Sequence, residues 1–450
     1  MMKISVLGTG YVGLVSGVCL AEKGHEVICV DIDEEKVRKT NQGVPIIYEK
    51  GLDELLARNI AVRFSATTDL RSAVLETDIS LIAVGTPFNG DEIDLTFIRD
   101  VSRQIGGALR DKNSYHVVVV KSTVVPGTTE EVVLPIVENA SGKKAGQDFG
   151  IGMNPEFLRE GMAVEDFLYP DRIVLGGLDE RSLDHLESLY SVFEGVDVIR
   201  TTPRTAEMIK YTANSLLATM ISFSNEIGNL CSTLGGVDVV DVMKGVHLDR
   251  RLCPVLPGGQ RVLPQFITYL EAGCGFGGSC FPKDVKALIA HGKKAGHPMS
   301  LLDAVIRINE DQPKQVISIL KSHFAQLKGL RVAVLGLAFK PGTNDMRESP
   351  AIPIVTDLLD AGAAVRAFDP VASDEARRIF DDKRITYFDS LSQALEDADA
   401  ALLLTRWEEF ASLPELLAGK KPSPLLIDGR RMLDKKSLAR YAGIGLGGFQ

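Results

Sequence analysis

The chain has 450 residues, 45% of them hydrophobic, and a formal net charge of −10. That length predicts two or three domains with sizeable buried cores, and the acidic balance argues against nucleic acid or an anionic membrane surface as the main partner. No apolar run reaches membrane-spanning length. The chain runs from Met1 straight into the strand pattern "KISVLG", so no signal peptide is expected. Cys19, Cys29, Cys231, Cys253, Cys274 and Cys280 show no paired metal spacing. These features predict a cytoplasmic protein with reduced thiols and no metal site.

The first 200 residues alternate apolar strands with helical patterns. "ISVLG", "EVICVD", "ISLIAVGTP", "HVVVVKSTVV", "DFGIGMNPE" and "RIVLGG" read as strands of a parallel sheet covered on both faces. "VLGTGYVGL" sets Gly8, Gly10 and Gly13 between the first strand and a helix. Asp31 ends the next strand, 18 residues past Gly13, where an acid reaches adenosine ribose hydroxyls. The glycines admit a pyrophosphate to the backbone and to the positive end of the helix. A carboxylate there repels a 2′-phosphate, so NAD is expected over NADP, with Lys36 weakening that preference from the ribose side. "AVGTPF" and "KSTVVPGTT" end later strands and bring Thr86 and Thr123 to the same edge.

Glu156 and Glu160 follow a strand end in "MNPEFLREGMAVEDF". Residues 205–236 then predict one long helix, a spine between domains. Lys210 and Asn214 sit four apart on one face of this otherwise apolar segment, and a desolvated lysine needs a partner or a task. Residues 253–274 read as irregular, and helices resume from about Lys283 to Leu327. Near residue 330 the α/β rhythm restarts with "LRVAVLGLAFKPGT", "AVRAFDP", "ITYF", "AALLLT" and "LLIDG". The expected fold is α/β, with two doubly wound Rossmann-like domains joined by a long central helix. The expected boundaries are 1–200 (dinucleotide binding), 201–315 (central and helical) and 316–450 (second Rossmann-like domain). Ligands are expected at strand C-terminal ends, in the cleft between the halves.

The stretch "GFGGSCFPKDVKAL" puts a thiol between glycines and a helix start. Pro282 fits the first turn of a helix, so Cys280 stands near that helix's N-terminus. Unpaired amides and the helix dipole favour a thiolate there. Gly275, Gly277 and Gly278 read as room for a ligand to reach the sulfur, and Asp284 shares its helical face. Cys280 is therefore read as a nucleophile, while Cys19 and Cys29, inside apolar segments, read as core.

"GTGYVGLVSG", "VGTP", "KSTVVPGT", "NPEFLREG", "AEMIKYTANS", "GFGGSCFPKD" and "GLAFKPGTNDMRESP" occur in this order over nearly the whole chain. With these motifs the chain resembles the nucleotide-sugar 6-dehydrogenases, their UDP-glucose branch more than their GDP-mannose branch. The resemblance implies a four-electron oxidation of a sugar primary alcohol to a carboxylate with two NAD⁺ in turn, UDP-glucose giving UDP-glucuronate through a thiohemiacetal and a thioester. It implies Cys280 as nucleophile, Lys210 and Asn214 as oxyanion holders, Asp284 and Thr123 as orderers of a catalytic water, and Glu156 as general base. For the cofactor it implies Gly8, Thr9, Gly10, Tyr11, Val12, Gly13, Asp31, Lys36, Thr86, Thr123, Glu160 and Arg347. For the nucleotide-sugar it implies Glu156, Phe157, Leu158, Glu160, Lys210, Asn214, Arg251, Gly273, Gly275, Gly277, Lys340 and Arg430, and it makes the last domain the one that binds the UDP-sugar.

The family's Asp-x-Arg element, whose arginine reaches a neighbouring subunit's sugar, matches Asp249 and Arg251. Arg251 lies 29 residues before Cys280, a longer gap than the family pattern, and Arg261 competes for the role. A homodimer or higher homo-oligomer is expected. Three alternatives stay open: a GDP-mannose or UDP-N-acetylhexosamine 6-dehydrogenase, a two-electron hydroxyacid dehydrogenase sharing the dinucleotide fold, and a non-catalytic NAD-binding redox sensor with Cys280 as its switch.

Overall fold

The computed structural model describes residues 1–448. The chain forms two compact units, Met1–Ala213 and a second from Asn214 onward.

The first unit holds one eight-stranded sheet. Its strands are β1 (Lys3–Leu7), β2 (Glu26–Val30), β3 (Phe64–Thr67), β4 (Ile79–Ile82), β5 (Val117–Val120), β6 (Gly150–Met153), β7 (Arg172–Gly177) and β8 (Asp197–Thr201), in the order 3-2-1-4-5-6-7-8. The first six follow the dinucleotide-binding order, which reverses beside β1. β4 (ISLI), β5 (VVVV) and β6 (GIGM) are buried throughout, as strands covered on both faces must be. An all-parallel sheet was expected, but β6 and β7 pair antiparallel, Gly152 opposite Gly177. Strand direction has no local residue signature, so apolar runs could not reveal it. The consequence is functional. Segment 154–171 does not cross back over the sheet, so Glu156 and Glu160 stay at the C-terminal edge of β6.

The spine helix, Pro203–Leu234, continues from the first unit into the second. In the second unit it is built inside out. Ser222 Oγ donates to the Val305 carbonyl at 2.9 Å, Asn225 Oδ1 accepts from the Gly273 amide at 2.8 Å, and Asn229 Nδ2 donates to Gln312 Oε1 at 3.0 Å. The opposite face carries Leu216, Phe223, Leu230 and Leu234, exposed by 59%, 50%, 52% and 65%.

A second sheet follows, with β9 (Arg331–Leu335), β10 (Ala364–Phe368), β11 (Ile385–Tyr387), β12 (Ala400–Leu403), β13 (Leu425–Asp428) and β14 (Tyr441–Gly443), ordered 11-10-9-12-13-14. Every pair is parallel. It repeats the topology of the first unit without repeating its glycine-loop cradle. After β9 the chain winds through 336–350 before the helix Ala351–Asp360 begins. Asp369, at the end of β10, accepts the Leu337 and Ala338 amides at 2.7 and 3.1 Å. Those donors are satisfied internally and are not left to hold a phosphate.

Candidate active site

Gly8 follows β1 with φ 103°. A Cβ there would lie 2.7 Å from the Ala83 carbonyl oxygen, and one on Gly13 would lie 1.9 Å from that of Gly8. Around Gly10 a Cβ would meet nothing within 4 Å. Two glycines thus serve close packing and one faces open space. Gly10 is also the N-cap of the helix Tyr11–Glu22, and no side chain caps its first-turn amides, which leaves donors aimed at an anion. Asp31 Oδ2 accepts from the Thr9 amide at 2.9 Å and from Thr9 Oγ1 at 2.6 Å; its Oδ1 accepts from the Asp33 amide at 3.1 Å. Burial pushes the Asp31 carboxyl up, but these donors and Lys36 outweigh it and hold it below the usual range. An open cradle, an uncapped helix start and an ionised acid at the ribose position fit NAD. Tyr11 braces the cradle from behind. Its hydroxyl donates to Glu49, and the Gly161 amide donates to Glu49 Oε2 at 2.7 Å, pinning the segment that carries Glu160.

Farther along the same edge, Thr86 Oγ1 donates to the Thr123 carbonyl at 2.8 Å and ties two strand-end loops together. Lys210 does have a partner. Its Nζ lies 2.9 Å from Glu156 Oε1, with both side chains buried. Glu156 Oε2 accepts from the Leu158 amide at 2.7 Å. Burial alone would raise the Glu156 carboxyl; Lys210, the Leu158 amide and Lys121 outweigh it and hold it below the usual range. The Phe157 ring lies 5.5 Å from Lys210 Nζ and 3.9 Å from the Arg172 guanidinium.

In the second unit, Cys280 is the N-cap of the helix Phe281–Lys294, with Pro282 in its first turn. Five cysteines are buried and Cys280 is half-buried. Burial pushes the Cys19 thiol up to about 12, which suits a packing role. Asp284, one turn past Cys280, is buried; its Oδ2 accepts from Asn214 Nδ2 at 2.7 Å and its Oδ1 from Lys283 Nζ at 2.6 Å. Asn214 stands one turn from Lys210 on the spine helix.

The loop before Cys280 is held by side-chain amides. The Gly273 carbonyl accepts from Gln312 Nε2 at 2.8 Å, and Asn309 bonds the Phe276 amide and carbonyl at 2.8 and 2.9 Å. The reading of its glycines as ligand space needs correction. A Cβ on Gly277 would lie 2.2 Å from the Glu348 carbonyl oxygen, and one on Gly278 would lie 2.7 Å from the Phe339 ring. These glycines let segment 339–348 pack closely; Gly275, with φ 102°, meets the Asn309 side chain at 3.0 Å.

The proposed cations differ in how far they are committed. Arg430 donates from Nε to the Leu404 carbonyl at 2.7 Å and from Nη1 to that of Gly275 at 2.8 Å, so it supports the loop. Arg347 pairs with Asp345 at 2.7 Å, and Lys340 Nζ lies 5.8 Å from the Phe339 ring. Arg261 donates to the Leu248 and Cys253 carbonyls, both at 2.9 Å, and so braces its own loop. Arg251, its side chain 88% exposed, pairs with Asp249 beside it.

Several contributors were not singled out from sequence. Glu207 is buried and takes the Gly127 and Thr129 amides at 2.6 and 2.8 Å. Lys121 and Asn154 lie behind Glu156, while Asn225, Asn309 and Gln312 hold the cysteine loop. One signal was present: Ser222, Asn225 and Asn229 recur at i, i+3 and i+7 on an apolar helix.

Among the described residues no helix is long and apolar enough to cross a membrane. Three domain families match the chain: the UDP-glucose/GDP-mannose dehydrogenase NAD-binding domain over residues 2–194, the central domain over 204–311 and the UDP-binding domain over 333–435. A UDP-glucose 6-dehydrogenase of Haloferax volcanii is 43% identical, over 98% of this chain and 100% of that protein. One from Bacillus subtilis is 44% identical, over 98% and 92%. A solved UDP-glucose dehydrogenase from Pyrobaculum islandicum superposes with a TM-score of 0.89 at 38% identity, covering 99% of this chain and 98% of that one.

Proposed function

The chain belongs to the UDP-glucose/GDP-mannose dehydrogenase family and is an NAD-dependent dehydrogenase, and from that premise we propose that it oxidises UDP-glucose to UDP-glucuronate in two steps on Cys280. Gly8–Gly13 and Asp31 would hold NAD⁺, which when bound would supply the hydride acceptor for each oxidation. The first oxidation takes a hydride from the carbon and releases the hydroxyl proton to solvent, leaving an aldehyde, which cannot readily be oxidised again. The Cys280 sulfur adds to its carbon, and the carbonyl electron pair moves onto oxygen as a thiohemiacetal oxyanion. Lys210 and Asn214, one turn apart, hold that oxyanion. The second oxidation gives a thioester. Glu156 takes a proton from water as the water attacks the acyl carbon, and the sulfur leaves as thiolate. Asp284 and Thr123 order that water.

The observation that carries this reading is a pair of polar contacts. Each unit contributes its own: in the first, Glu156 pairs with Lys210 at 2.9 Å; in the second, Asn214 donates to Asp284 at 2.7 Å, one turn past Cys280. The identity of the relatives supports UDP-glucose as the sugar, and the family's second substrate, GDP-mannose, is the alternative to test. NADH counted per sugar, over UDP-glucose, GDP-mannose and UDP-N-acetylhexosamines, decides the matter. Two NADH per UDP-glucose supports the reading, and one NADH, or turnover of another sugar only, refutes it.

The partner is a second copy of the chain. Leu216, Met220, Phe223, Ile227, Leu230 and Leu234 alternate at spacings of four and three, the seam of paired helices. The exposure of Leu216, Phe223, Leu230 and Leu234 supports a homodimer about this face. Arg251, exposed and free of backbone duties, is the arginine offered to the nucleotide-sugar, while Arg261 braces its loop. A cysteine that acts as a nucleophile suits a reducing compartment, the cytoplasm.

A further inference from the structure

Lys121 directly follows the strand β5, two residues before Thr123, and it is buried. Its Nζ donates to Asn154 Oδ1 at 2.8 Å and reaches the Tyr190 hydroxyl at 3.5 Å. The rings of Phe167 and Tyr190 lie 5.7 and 6.0 Å from the ammonium. No carboxylate lies within ion-pair distance of it among the described residues. Asn154 is anchored in turn: its amide donates to the Val120 carbonyl and its Nδ2 to the Val174 carbonyl, both at 2.9 Å, and Tyr190 also donates to its Oδ1. Two residues on from Asn154 comes Glu156.

A buried ammonium with no carboxylate of its own is normally selected against. Here it stitches the loop carrying Thr123 to the turn carrying Glu156. The charged and titratable groups around it are Glu156 on that turn, Lys210 on the spine helix and Tyr190 on the helix Glu180–Tyr190. Lys210 and Glu156 cancel each other in the resting protein. In the proposed reaction Lys210 must share its charge with an oxyanion, which weakens its hold on Glu156.

We propose that Lys121 is a positioning residue that fixes the Glu156 turn against the Thr123 loop and keeps Glu156 ionised while Lys210 serves the oxyanion. This rests on the catalytic roles given to Glu156 and Lys210 above. Burial pushes the Lys121 ammonium down to about 8, with Glu156 pulling it back up.

The test is the pH profile of kcat for Lys121→Met and Lys121→Arg, with whichever nucleotide-sugar the wild type turns over. Lack of wild-type turnover would fault the proposed function, and the variants then fault or support the inference separately. Removing a nearby positive charge raises a carboxyl, so Lys121→Met moves the acid limb up by about one pH unit. Lys121→Arg keeps the charge and returns the limb to its wild-type position. KM for the nucleotide-sugar stays within about twofold, as expected for a group that does not touch substrate. A folded Lys121→Met with the wild-type limb overturns the proposal. If that variant does not fold, Asn154→Asp is read in its place. It gives Lys121 a carboxylate of its own and must also raise the limb; an unmoved limb overturns the proposal.

Discussion

Asn214 donates to Asp284 at 2.7 Å, and this bond joins the spine helix to the first turn of the helix that Cys280 caps. Asp284 cannot keep both Asn214 and Lys283 if its carboxylate is lost. Asn214→Ala and Asp284→Asn are each expected to lower kcat about 10²-fold, the scale of a lost oxyanion donor. The double variant is expected to lose much less than the product of the two, because the residues act as one unit. NADH formation at saturating substrate measures this. Full multiplicativity would mean the two act independently.

The glycines divide into two kinds, and alanine substitution separates them. Gly277→Ala drives a Cβ toward a backbone oxygen 2.2 Å away, and is expected to destabilise the fold by about 3 kcal/mol. Gly10→Ala meets nothing within 4 Å. It is expected to leave the denaturation midpoint unchanged while weakening NAD about tenfold, or about 1.4 kcal/mol. Denaturation and NAD titration of both variants give the comparison.

Burial pushes the Glu207 carboxyl up to about 7, against the pull of the Thr129 and Gly127 donors. Its folded value lies above its unfolded one, so the folded state binds more protons between the two. Stability from this group is complete below pH ~4.5 and is lost as pH rises through ~7, by roughly 2–3 kcal/mol. Glu207→Gln removes this slope. The melting temperature of the wild type is therefore expected to fall relative to Glu207→Gln between pH 5 and pH 8, and parallel curves would contradict the assignment.

Phe223 is 50% exposed at the middle of the apolar seam. Phe223→Glu with Leu230→Glu is expected to convert a dimer to a monomer in sedimentation velocity without loss of helical circular dichroism. An unchanged sedimentation coefficient would place the interface elsewhere.

Arg251→Ala removes an exposed guanidinium that, among the described residues, pairs with its neighbour Asp249. The melting temperature is expected to stay within about 1 °C, since surface substitutions change stability little, while KM for UDP-glucose rises. Arg261→Ala, which strips two carbonyls of their donor, is expected to do the reverse. Thermal melts and KM measurements on both variants separate the two arginines.

The first glycine loop was legible because its signal is local: strand, glycines, helix, strand and Asp31 follow one another. The second Rossmann-like unit was legible from its apolar rhythm. β3, β8 and β14 were not, since Phe64–Thr67 alternates over only four residues, Asp197–Thr201 is mostly exposed and Tyr441–Gly443 has only three residues. The reversal of β7 left no trace in residue type. Gly277 and Gly278 were misread because their neighbour, segment 339–348, is distant in sequence. Lys121 and Glu207 were passed over for a related reason. A buried charge and a solvated one have the same letter, and only the fold shows that Asn154 or the Thr129 amide lies opposite.

The most direct test of the central claim is intact-protein and peptide mass spectrometry of Glu156→Gln, quenched with acid during turnover of UDP-glucose and NAD⁺. With the proposed hydrolytic base removed, a sugar-nucleotide acyl adduct is predicted to accumulate on the peptide containing Cys280. Two NADH per sugar with no adduct on that peptide, or an adduct on a different residue, would contradict the account.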